Sequence, residues 1–192
     1  MRKTARDLKK REFEYFLKAT ICDVMRLFGY SKLPHVFETK LPGNEMMSFI
    51  TIRNGKYSAI AYDYQKIAAL FSRYDKEDAI ARIVFITAHE MRHYYQHRQI
   101  RAKSPRESEK TVNAWRKSDV ICIDCDNSEY YGNVREIDAF AFAYSYVADK
   151  FGVLVVNVGV PKKYRTVMKR YVKKTFGLKA PIFSAKYDKY FY

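Results

Sequence analysis

Apolar positions recur every three to four residues from about Ala5 to Tyr30, at Leu8, Phe13, Phe16, Leu17, Ile21, Met25 and Leu27 or Phe28. That spacing predicts an amphipathic helix ending near Gly29. The period then changes. After the turn signal "LPGN" comes "SFITIRNGKYSAIAYDY", two β-rich runs divided by Asn54-Gly55. A two-residue type I′ turn requires positive φ at both central positions, which Asn-Gly tolerates, so a hairpin is predicted with strands at about 47 to 53 and 56 to 63. Next, "KEDAIARIVFITAHEMRHYYQHRQI" predicts a long helix that opens on acids, where the helix dipole favours them. Residues 101 to 133 are polar and irregular, with one short helix expected around Trp115. "VREIDAFAFAYSYVADKF" predicts another helix, ending at Gly152; the strand-like "VLVVNVGV", a basic helix after Pro161 and a tail follow. No internal repeat is present. The fold class expected from this order is α+β, a small mixed sheet packed against two long helices.

Composition narrows the classes. With 192 residues, 48% of them hydrophobic and 16% aromatic, the chain can bury a sizeable core. Residues 1–160 are expected to form one domain that includes the N-terminal amphipathic helix, with a basic helix and tail at 161–192 packed on it. The start, "MRKTARDLKKREFEYFLKAT", is charged throughout and lacks the apolar core of an export signal. The longest apolar run, "FGVLVVNVGV", falls short of the roughly 20 residues that cross a bilayer. Three cysteines, Cys22, Cys122 and Cys125, are too few and too odd in number for a disulfide framework. A cytoplasmic location is the expectation.

Charge adds a possible partner. Lys and Arg total 36 against 21 Asp and Glu, a net charge of +15, and from Phe151 onward only Asp188 is acidic. Clustered cations attract nucleic acid or an acidic protein through counterion release, although a solvated helix face has the same composition.

The chemistry is concentrated in "HEMRH". On a helix, positions i and i+4 point the same way, so His89 and His93 can offer two imidazole nitrogens to one tetrahedral ion. Glu90 projects about 100° round the axis, off the ion but beside it, where a general base belongs. A third ligand is available in Glu136, on the later helix, where Ala139 and Ala143 permit a close helix approach. His97 sits eight residues from His89, with an angular drift of about 80°, and is expected near the site or on the surface. His35, after Pro34, reads as a loop histidine. Cys122 and Cys125 form a lone C-x-x-C, short of the four ligands of a structural zinc site. "DCDNSEYYGN" lacks the glycine and the terminal glutamate of a calcium loop. No phosphate-cradling glycine loop and no G-x-S-x-G element occurs.

"HEMRH" followed by "EIDAFAFA" resembles the zincin metallopeptidases of the gluzincin kind, and among them the ImmA/IrrE type, whose second motif reads approximately E-x-x-A-[ND]-x-F-A. Glu136, Ala139, Phe142 and Ala143 match it; Phe140 stands where the motif carries Asn or Asp, leaving Asp138 as a substitute for orienting a histidine. The resemblance spans about 45 to 143. It implies a zincin-like kernel in which Zn²⁺ is held by His89, His93 and Glu136, and a peptidase in which Glu90 is the general base acting on a protein or peptide, such as a regulatory protein. Tyr62, Tyr64, Tyr130 and Tyr131 lie in regions from which an oxyanion partner can come, without one being singled out. The alternative is a catalytically dormant zincin-fold protein that associates with nucleic acid through its basic C-terminal part.

Overall fold

The computed structural model describes residues 10–52, 57–72, 74–118, 130–151 and 162–176. Among these residues it is a mixed α+β structure, mostly helical, with a three-stranded sheet. Two compact units divide the chain, Met1–Tyr95 and Gln96–Tyr192. Helix α3, Lys76–Arg101, runs unbroken through the division.

In the first unit, helix α1 spans Lys10–Leu27 and buries Phe13, Leu17, Ile21 and Met25 of the expected stripe together with Thr20 and Val24; Phe16 is half-buried, and Leu8 lies outside the described residues. Of the two candidates at its end, Phe28 is buried and Leu27 exposed. The helix stops as its sequence predicts. Gly29 takes φ 64°, its N–H reaches Arg26 O at 3.0 Å, and the Tyr30 N–H reaches Met25 O at 3.0 Å. These paired bonds are a Schellman cap, in which the left-handed residue is nearly free of cost only as glycine.

Strands β1, β2 and β3 cover His35–Glu38, Met47–Ile52 and Tyr57–Tyr62. The sheet order is β1-β3-β2, with β1 parallel and β2 antiparallel to β3. The expected hairpin is therefore present, paired from Met47↔Tyr62 to Ile52↔Tyr57; the Asn54-Gly55 turn itself lies outside the described residues. His35 is the first residue of β1, not a loop residue, because parallel pairing with Ala59 draws the segment into the sheet. Central β3 is buried from Ala59 to Tyr62, and among the described strands β1 and β2 are the outer ones. A short helix α2, Tyr64–Phe71, follows directly, with Asp63 as its N-cap.

Helix α3 is buried on almost every side from Ala79 to Gln96. Such a helix has no polar face, and its polar residues Arg82, Thr87, His89, Arg92, His93 and Gln96 are all buried. The turn carrying the histidines is braced by aromatic contacts. Phe28 lies 4.4 Å from Tyr95 between ring centroids, the Arg92 guanidinium sits 4.6 Å over the Tyr95 ring, and the Tyr94 hydroxyl donates to Lys32 O at 3.0 Å.

In the second unit, the Gln99 side chain accepts from the Arg106 N–H at 2.6 Å, tying the chain after α3 back to its last turn. Helix α4, Glu109–Lys117, starts at an N-capping Ser108 and buries Trp115, the short helix expected there. A 3₁₀ turn at Tyr130–Gly132 leads into α5, Val134–Phe151, whose first turn is capped by the Asn133 side chain accepting from the Arg135 N–H at 2.8 Å. A Cβ at Gly132 would stand 3.3 Å from the Tyr164 ring, so that close approach favours glycine. Helix α6, Lys162–Phe176, packs on α5 and buries Met168 and Val172. The strand-like run at 153–160, the tail after Phe176 and the pair Cys122 and Cys125 lie outside the described residues. No described helix is long and apolar enough to cross a membrane.

Candidate metal centre

His89 and His93 are buried on successive turns of α3, and their Nε2 atoms are 3.1 Å apart. Two imidazole ligands of a tetrahedral zinc, each at about 2.0–2.1 Å, would be separated by about 3.3 Å. The separation thus fits two ligands sharing one ion. Glu136, on the first turn of α5, completes the set: one ligand atom from each of His89, His93 and Glu136 lies within 4.8 Å of the others. Two neutral imidazoles and a carboxylate are a donor set that zinc accepts, and three protein ligands leave a position for water. A His-His-Glu group able to hold a metal ion is therefore in place.

Gln96 shows how the later helix is held. It stands one turn beyond His93, is fully buried, and donates both amide protons to α5, to Arg135 O at 2.9 Å and to Asp138 Oδ2 at 2.7 Å. Both recipients lie within two residues of Glu136.

Glu90 has two differently placed oxygens. Its Oε2 accepts the Phe49 N–H of outer strand β2 at 2.7 Å, and its Oε1 lies 4.0 Å from His89 Nε2. The carboxylate is thus held on one side by a backbone amide and has its other oxygen on the side of His89 Nε2.

The other nominated residues separate from the trio. His97 is not part of the ligand group, and His35 is exposed at the start of β1. The Tyr62 hydroxyl donates to Glu14 at 3.3 Å, and burial, aided by Glu14 and Glu38, pushes the phenol up to about 12. Tyr64 packs 5.6 Å from Phe13, while Tyr130 and Tyr131 pack against Phe140 at 6.4 and 5.9 Å. Phe140 is thereby accounted for as an aromatic packing residue. Asp138 directs its carboxylate to Gln96 at 2.7 Å and to the Tyr171 hydroxyl at 2.9 Å. The Phe49 amide, Gln96 and Tyr171 were not singled out by the sequence. Only Gln96 carried a signal, an amide at i+3 from His93 on a stretch otherwise destined for the core. No family model, curated protein or solved structure matches the chain.

Proposed function

We propose that the protein is a zinc-dependent metallopeptidase of zincin type, with His89, His93 and Glu136 as the metal ligands and Glu90 as the general base. The observation that carries this reading is the convergence of the three ligand atoms within 4.8 Å, with a Glu90 oxygen 4.0 Å from His89 Nε2. Bound zinc supplies Lewis acidity, which lowers the pKa of water towards about 7. Glu90 takes the proton as water attacks the scissile carbonyl, then delivers it to the leaving amine. The Phe49 amide keeps the carboxylate in one orientation through both transfers. Strand β2 is an outer strand among the described residues, and its backbone groups are a way for an extended peptide, such as a segment of a regulatory protein, to be held by strand pairing.

A second reading has one observation in its favour. Helix α6 contains no acid, and Arg170, Lys173 and Lys174 are exposed on it, as suits a catalytically dormant protein docked on nucleic acid or an acidic protein. Glu90→Gln separates the two. The peptidase reading expects the variant to bind zinc as wild type does and to lose at least 100-fold in peptide hydrolysis, the lower range of general-base contributions. Hydrolysis surviving in the variant, or absent from zinc-loaded wild type across a peptide library, contradicts it.

A further inference from the structure

We infer that Asp138 is a positioning residue for the metal trio, acting through Gln96 and itself held by Tyr171 of α6. The inference rests on the metal reading above. Asp138 is fully buried two residues after Glu136. A carboxylate in that setting loses its hydration, and directional hydrogen bonds must replace it. Two helices supply them: Gln96 of α3 at Oδ2, 2.7 Å, and the Tyr171 hydroxyl of α6 at Oδ1, 2.9 Å. The second amide proton of Gln96 goes to Arg135 O at 2.9 Å, and the Arg135 Nε–H returns to Gln96 Oε1 at 3.4 Å. One side chain, three residues beyond His93, therefore grips the backbone just before Glu136 and the carboxylate just after it.

Geometry explains why such a clamp matters. A slide of one residue along a helix is about 1.5 Å, enough to break both bonds, whereas coordination distances tolerate only about 0.2 Å. Apolar packing holds helices together but is indifferent to small slides. Charge-assisted bonds to a fixed acceptor are not. The clamp also gives the chain a polar support two residues before Phe140, which is occupied by packing against Tyr130 and Tyr131. Tyr171 brings α6 into the same network, so the basic C-terminal helix helps support the metal site.

The test is zinc affinity by chelator competition on the full chain, alongside the melting temperature of the metal-free protein. Tyr171→Phe and Gln96→Leu are each expected to weaken zinc binding about 10-fold or more, as partners behind metal ligands do. For Tyr171→Phe the metal-free melting temperature should stay within a few degrees of wild type. Asp138→Asn keeps an acceptor for Gln96 and should retain most of the affinity that Asp138→Ala loses. Affinities within twofold of wild type in both Tyr171→Phe and Gln96→Leu overturn the positioning role and leave the metal reading standing. A wild-type chain that binds no zinc overturns both.

Discussion

Glu90 and Asp63 show how single carboxylates are fixed here by backbone amides. Glu90 is held by the Phe49 N–H, and Asp63 accepts the Lys66 N–H at 3.2 Å and the Leu41 N–H at 3.3 Å. The Lys66 amide is the main reason the Asp63 carboxyl titrates below the usual carboxylate range; burial opposes the shift, and Leu41 and the Lys66 ammonium add to it. A depressed folded-state pKa means stability that is present above the unfolded value of about 3.9 and is lost as pH falls through the folded one. Urea unfolding of wild type against Asp63→Asn should therefore show a difference that is flat from about pH 5 to pH 8 and shrinks in acid below about pH 3.9. A difference that grows in acid contradicts the assignment. At this scale the sequence was informative where the residue type is rare and chemically loaded: two histidines and a glutamate at helical spacing, and one glutamate downstream. It was silent on Tyr171 and the Phe49 amide and gave only a faint sign at Gln96, because a tyrosine among 17, a backbone N–H or a lone glutamine acquires its role only through contacts made by folding.

Helices α3 and α5 carry the site, and both are unusually enclosed. On α5, Ala139, Ala141 and Ala143 have no exposed surface at all. Small residues there leave no slack for a larger side chain, so Ala143→Leu should destabilise the fold by about 1–3 kcal/mol in chemical denaturation. A neutral effect would show that α5 has room around it. The long helices were readable because 3.6-residue periodicity or a sustained apolar run persists over many turns, and the hairpin because two β-rich runs flank an Asn-Gly pair. Strand β1 was not readable. Its four residues, His-Val-Phe-Glu, are mostly exposed, and they form a strand only because β3 offers a parallel partner far along the chain. Helix α2 escaped for a related reason: eight residues hold little periodic signal, and the Asp63 cap that starts it directly follows a strand.

For the molecule as a whole, the three candidate ligands come from α3 and α5, which α4 separates along the chain, so an ion bound by them would tie distant stretches of chain together. Zinc that binds the folded state and not the unfolded one stabilises it by mass action, about 4 kcal/mol at a free concentration 1,000 times Kd. The melting temperature should rise with zinc and return to its metal-free value with chelator. The most direct measurement is zinc stoichiometry and affinity in the purified wild-type chain and in Glu136→Ala. The wild-type chain is expected to bind one zinc, and binding should be at least 10-fold weaker once the Glu136 carboxylate is removed. Wild-type protein without zinc, or a Glu136→Ala variant that holds it as tightly as wild type, would contradict the metal reading.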